Sequence, residues 1–271
     1  MMDLRTSTMT ISSPKEPQNP LVWFDINAES FFASYRIEGV DPTFDDENSI
    51  YIEIQSSMLL PAIMCIKKSL AFLEIKLSKT SYPFFTITMK VQSTIDQDTN
   101  VLITNKVPLI VIPRMGWDQF DPFYGPLTFN IRAKCPRLSL FKRYIDTFKL
   151  TRQIKFVVRR DKTLTVEASH EATRLFTIFQ NVDAEDYQSE IKFVGNPVHA
   201  IVDQKKVATW LHSLHFEAPI KLYCYIETEK QFKLFIRIRD DLMCNFILPA
   251  EAEEFNASED DIFSMMESAS D

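Results

Sequence analysis

The stretch IYIEIQSSMLLPAIMCIKKSLAFLEIKLSKTSYPFFTITMKV, Ile50–Val91, changes its hydrophobic period twice. Ile50, Ile52 and Ile54 alternate with Tyr51, Glu53 and Gln55, the period-two pattern of a strand with one buried face. From Ser56 the spacing becomes helical: Leu59, Ile63, Ile66 and Leu70 share one face, and Ser56 or Ser57 can cap the start. The spacing predicts a helix over Ser56–Leu70, with Pro61 in its first turn or just beyond, where a missing N–H costs least. Leu73, Ile75 and Leu77 then return to alternation, and Phe84–Val91 follows across a short turn. A strand, a helix and a hairpin in that order point to an α+β fold with antiparallel sheets.

The same order recurs along the chain. Leu138, Phe141, Ile145 and Phe148 predict a helix over Arg137–Lys149, and Val207, Trp210, Leu211 and Leu214 one over Asp203–His215, capped by Asp203. A strand pattern precedes them at Leu127–Ile131, others lie between them at Ile154–Val158, Leu164–Ala168 and Arg174–Asn181, and more follow at Ile220–Ile226, Phe232–Ile238 and Met243–Leu248. Ahead of Ile50 the strand readings are Leu21–Ile26 and Glu29–Ile37; after Val91 there is Val107–Ile112. Residues 113–126 hold Pro113, Gly116, Pro122, Gly125 and Pro126, a linker composition. The expected domains are therefore 1–112 and 127–250, followed by an acidic, disordered tail at 251–271.

Composition excludes several classes. With only four Gly in 271 residues, glycine-rich phosphate loops are missing. The four Cys form no CxxC pair and read as reduced, buried thiols of an intracellular protein. The first twenty residues lack the apolar core of a signal peptide, and no apolar run nears the ~18 residues that span a bilayer. No nucleophile, P-loop or zinc-protease motif is present, so no enzyme and no cofactor is expected. His212 and His215 stand at a metal-compatible helical spacing, but no further ligand is suitably placed in sequence, so no metal is expected.

Charge is unevenly spread. The net charge is −7, but the tail alone carries eight acids and no base, which leaves the remainder near +1. All three helices carry a basic excess: Lys67 and Lys68; Lys142, Arg143 and Lys149; Lys205 and Lys206. Basic side chains gathered on one surface of an acidic protein suit contact with DNA phosphates, a contact that reads no sequence. Solvated outer helix faces carry the same charges, and spacing alone leaves both readings open.

Several segments resemble one family. VWFDINAESFFASYRIEGV (Val22–Val40) and Ile50–Val91 are similar to the opening strands, helix and hairpin of Hus-type subunits of the DNA-damage checkpoint clamp. ITNKVPLIVIPRMGWDQF (Ile103–Phe120), VHAIVDQKKVATWLHSL (Val198–Leu214) and MCNFILPA (Met243–Ala250) resemble its domain-closing strand, last helix and terminal strand. The resemblance covers Thr6–Ala250 and implies the sliding-clamp fold, two similar domains of helices packed on antiparallel sheets. The family begins with a further strand and helix ahead of Thr6–Ser12, so the first domain is expected to be incomplete, with an apolar patch left where that helix would pack.

By resemblance the chain is a non-catalytic, nuclear subunit of a three-membered ring. That ring would contain two other clamp-like subunits, encircle double-stranded DNA, be opened by a clamp loader and recruit checkpoint and repair proteins, with no membrane partner. The helical bases would face DNA. Val107, Leu109 and Val111 on one edge and Arg174, Phe176 and Ile178 on another would meet neighbouring subunits. Trp117, Phe120, Phe123 and Tyr124 would border a docking groove for client peptides, or pack the linker onto its own sheet. Ser258, followed by acids, suits an acid-directed kinase, against the plainer reading of a solubilising tail. A homotrimeric processivity clamp and a clamp-derived scaffold that does not bind DNA are the rival readings.

Overall fold

The computed structural model describes residues 1–14, 19–37, 49–64, 70–92, 100–119, 129–159, 161–170, 173–186, 197–215 and 221–252. They form two compact units, the first comprising residues up to Leu127 (except Gln18–Pro20) together with Arg237–Asn245, the second the remainder.

The first unit contains β1 (Met2–Arg5), β2 (Thr8–Ser12), β3 (Leu21–Asn27), α1 (Ala28–Phe31), β4 (Ser49–Glu53), α2 (Ser56–Ile63), β5 (Leu70–Lys79), β6 (Pro83–Gln92), β7 (Asn100–Pro108) and β8 (Ile110–Val111). Its strands run in the orders β3-β2-β1-β4-β8 and β5-β6-β7. Ile52, Phe85, Ile87 and Met89 are buried together in its core, and Leu59, Ala62 and Ile63 of α2 pack against them. Each fully buried aliphatic or aromatic side chain contributes about 1.5–3 kcal/mol.

The second unit contains β9 (Ile131–Lys134), α3 (Leu138–Thr147), β10 (Gln153–Val158), β11 (Leu164–His170), β12 (Thr173–Phe179), β13 (Ala184–Asp186), β14 (Val198–Asp203), α4 (Gln204–Ser213), β15 (Lys221–Glu227) and those parts of β16 (Gln231–Arg239) and β17 (Leu242–Pro249) that lie outside Arg237–Asn245. The orders here are β12-β11-β10-β14 and β13-β9-β15-β16-β17. Phe141, Phe148, Phe156 and Phe232 are almost wholly buried, and Phe156 stacks on Phe232 with ring centroids 4.2 Å apart.

The two units repeat one plan. The order β3-β2-β1-β4 matches β12-β11-β10-β14, and the run β4-α2-β5-β6-β7 matches β14-α4-β15-β16-β17. Among the described residues α1 and β8 occur only in the first unit, and β9, α3 and β13 only in the second. The second unit's sheet continues past β15 to β9 and β13, whereas the first unit's sheet stops at β5.

Three sequence readings need correction. The helix expected over Ser56–Leu70 ends at Ile63, and Leu70 instead begins β5, paired with Val91. The strand expected over Glu29–Ile37 is a single helical turn, because the Asn27 side chain accepts the Ser30 N–H at 3.2 Å and starts a helix. The strand expected over Val107–Ile112 is broken at Leu109: Val107 stays with β6, while Val111 crosses to pair with Ile52 of β4. No described helix is long and apolar enough to cross a membrane.

Candidate nucleic-acid interface

Helices α3 and α4 form one surface of the second unit. Their apolar stripes, Leu138–Phe141–Ile145 and Val207–Trp210–Leu211, are buried and fix which sides remain outward. The Asp203 side chain accepts the Lys206 N–H at 2.8 Å and starts α4 where the sequence places it. Three polar contacts hold the pair together. The buried Gln204 donates from Nε2 to the Ile145 carbonyl at 3.3 Å. His212 Nε2 meets Asp146 Oδ1 at 2.7 Å, and Lys142 Nζ donates to the Leu214 carbonyl at 2.5 Å.

The bases fall into separate classes. Arg143, Lys149 and Lys205 are exposed, while Lys206 is half-buried. Lys142 is also half-buried and is tied to the end of α4; burial lowers its pKa, partly offset by the Asp146 charge. A cleft of about 700 Å³ between the helices brings Lys149 and Lys205 together with Arg152 and His212, with Asp146 and Asp203 also in its wall. Arg152 lies just past the first helical stripe, and the sequence offers His212 only as a metal candidate, so local pattern assigns neither to this surface. Among the described residues no group of three metal-binding side chains occurs. Lys67 and Lys68 lie outside the described residues.

The expected subunit edges also separate. Among the described strands β12 ends its sheet, with Phe176 62% and Ile178 48% exposed, and Arg174 reaches back to Glu167 at 3.4 Å. β7 ends the other sheet, but the Val107 and Leu109 side chains are buried in the first unit, so these two offer no exposed apolar contact at that edge. Val111 is exposed on β8. Trp117 donates from Nε1 to the Ile112 carbonyl at 3.0 Å and packs on Tyr51, ring centroids 5.0 Å apart. That geometry fits a side chain holding the linker to its own sheet. Phe120, Phe123 and Tyr124 lie outside the described residues.

The sequence model of the family described as "Hus1-like protein" matches residues 1–252. This chain belongs to the Hus1-like family. It is 25% identical over 234 residues to "Checkpoint protein Hus1-like" of Drosophila melanogaster, covering 86% of this chain and 81% of the relative. It is 23% identical to "Checkpoint protein HUS1" of Homo sapiens, covering 84% and 80%. Among solved structures it resembles PCNA from Thermococcus kodakaraensis, with TM-score 0.65, 15% identity and coverage of 92% and 89%. The proliferating cellular nuclear antigen of Entamoeba histolytica also matches, with TM-score 0.65, 10% identity and coverage of 93% and 88%. These neighbours establish the sliding-clamp fold expected from the sequence; the Hus1-like family lies within it.

Proposed function

We propose that this chain is a non-catalytic subunit of a nuclear, ring-shaped DNA-damage checkpoint clamp that encircles double-stranded DNA. Two other clamp-like subunits complete the ring, a clamp loader opens it, and repair and checkpoint proteins dock on it. The observation that carries the reading is the α3–α4 pair, with Arg143, Lys149 and Lys205 exposed and Arg152 in the adjoining cleft. Basic side chains held on rigid helices contact phosphates without reading sequence and let the ring slide. The exposed β12 edge supports closure by strand addition, with Phe176 and Ile178 as its apolar contacts.

The test is charge reversal in the reconstituted heteromer. Arg143→Glu with Lys205→Glu should lower DNA affinity and reduce the slope of log K against log salt by about 1.8, near 0.9 for each phosphate no longer neutralised. An unchanged slope contradicts the assignment of this surface.

One observation favours the reading of a scaffold that does not bind DNA. Helix α2 carries no charged side chain and exposes Met58 and Leu60, an apolar surface rather than a phosphate-binding one. That reading predicts that the same reversals leave damage signalling unaltered.

A further inference from the structure

In the second unit the face of β9, β15 and β16 turned away from the core interleaves aromatic rings with cations. Leu222, Cys224 and Ile226 of β15 point into the core, which turns Tyr223 and Tyr225 to the opposite face. In β16 the same alternation buries Phe232 and Leu234 and turns Lys233 and Phe235 outward. The strand register sets Lys134 of β9 beside Tyr223, and Arg132 beside Tyr225. Both tyrosines meet the Phe235 ring, with centroids 6.2 and 6.3 Å apart. The Arg132 guanidinium carbon lies 5.3 Å from the centre of the Tyr223 ring. Lys233 Nζ lies 5.4 Å from the Tyr225 centre and 5.6 Å from that of Phe235.

The fold does not itself require rings here. In the first unit the outward positions of the matching strands, β5 and β6, include Glu74, Lys76, Thr86 and Thr88. Tyr223 and Phe235 are only half-buried, so part of each ring meets solvent. Four bases share the face: Arg132, Lys134, Lys221 and Lys233. Its described carboxylates are already matched. Glu185 of β13 pairs with Arg132, and the buried Glu227 accepts Lys230 Nζ at 2.6 Å and Gln231 Nε2 at 2.7 Å. Lys134 and Lys221 are exposed and make no ion pair among the described residues. The face is therefore positive, and its positive charge surrounds a group of rings.

Cations alone would suit any polyanion, and the rings narrow the choice. In a duplex the base faces are hidden in the stack, whereas an unpaired strand offers them to aromatic side chains. A sheet that presents rings on adjacent strands can stack two or three bases while flanking cations hold the phosphates. Same-face residues along a strand lie about 6.6 Å apart and neighbouring strands about 4.8 Å, so Tyr223, Tyr225 and Phe235 are within reach of consecutive nucleotides. We propose that this face binds single-stranded nucleic acid, without regard to sequence. Tyr223 and Phe235 stack bases, Tyr225 supports both rings from beneath, and Lys134, Lys221 and Arg132 meet phosphates. The site shares no residue with the α3–α4 surface and does not depend on that surface facing a duplex.

The test is fluorescence anisotropy with two labelled probes of equal length and charge, a short oligothymidylate and an abasic strand. Both are titrated with the full chain carrying Arg143→Glu and Lys205→Glu, so that the helical surface drops out of the readout and its failure is not confused with failure here. The oligothymidylate should bind at least fivefold more tightly than the abasic strand. Adding Tyr223→Leu and Phe235→Leu should weaken the oligothymidylate about fivefold to a hundredfold and leave the abasic strand unchanged, while Tyr223→Phe keeps the affinity. Should the double ring variant lose its native circular dichroism spectrum, Lys134→Glu with Lys221→Glu decides, since both side chains are exposed. That pair should weaken both probes and reduce the slope of log K against log salt by about 1.4, near 0.7 for each phosphate released from a single strand. Equal affinity for the two probes overturns the proposal, as does oligothymidylate binding that survives loss of the rings or keeps its salt slope after the lysine reversals. A polyglutamate peptide that displaces the oligothymidylate at matched charge identifies an acidic polypeptide as the occupant and also overturns it.

Discussion

The two units share a plan but not a level of closure. In the second, α3 and α4 pack side by side, β9 extends the sheet beyond β15, and the row Leu222–Cys224–Ile226 is sealed. In the first, the described sheet ends at β5 and the equivalent row is open to water. The same strand order therefore supports two kinds of surface. Where a helix pair covers the sheet, polar contacts such as Gln204 to Ile145 lock it and the outward side carries bases. Where the cover is missing among the described residues, large apolar side chains face solvent, the mark of an interaction site.

The largest effect should separate the units directly. Leu222→Ala removes a side chain that is 1% exposed and should cost about 2–5 kcal/mol by urea denaturation, transfer and cavity terms together. Leu73→Ala, 37% exposed in the matching row, should cost less, about 1–2 kcal/mol. Equal costs would break the comparison.

Alkaline pH probes buried thiols in both units. Burial, then the Asp25 charge, pushes Cys244 in the first unit up to about 12 from an ordinary 9.0. Burial, then Cys224, pushes Cys135 in the second well above the same value. The unfolded chain releases these protons first. The stability held by the neutral thiols is therefore full below about pH 9 and falls as pH rises toward 12. Cys244→Ala should flatten the first unit's share of that slope and leave the share from Cys135, as followed by denaturant midpoints between about pH 8 and 11.

The smallest effect concerns the caps. Asp203 bonds its helix start, whereas Gln55 makes no side-chain bond at the start of α2. Asp203→Ala should cost about 1 kcal/mol, and Gln55→Asp should stabilise the first unit by up to about 1 kcal/mol, both read as shifts in the urea midpoint.

Much of this was legible in local pattern. Leu138, Phe141, Ile145 and Phe148 are all buried as their spacing required, and so are Val207, Trp210, Leu211 and Leu214. The resemblance carried the fold class. Local pattern failed where a tertiary contact or a cap competed with it. Ile66 and Leu70 prolong the helical spacing after Ile63, yet pairing with β6 draws Leu70 into a strand. Phe31 and Ile37 fit a strand period, but Asn27 turns the chain into a helix first. Val107 and Leu109 read as edge residues, and the strand does lie at an edge, but their side chains complete the core. The cleft could not be read locally, because it joins Lys149 and Arg152 to Lys205 and His212 from a distant segment. The exposed row on β5 became meaningful only beside its sealed counterpart on β15.

The most direct test of the central claim is topological. The chain, reconstituted with two other clamp-like checkpoint subunits and a loader, is placed on circular double-stranded DNA and washed in high salt, which removes phosphate-only binding. Encirclement predicts that the complex stays on the closed circle and leaves when the DNA is cut once. Loss from the intact circle at the same salt, or equal retention before and after cutting, contradicts it.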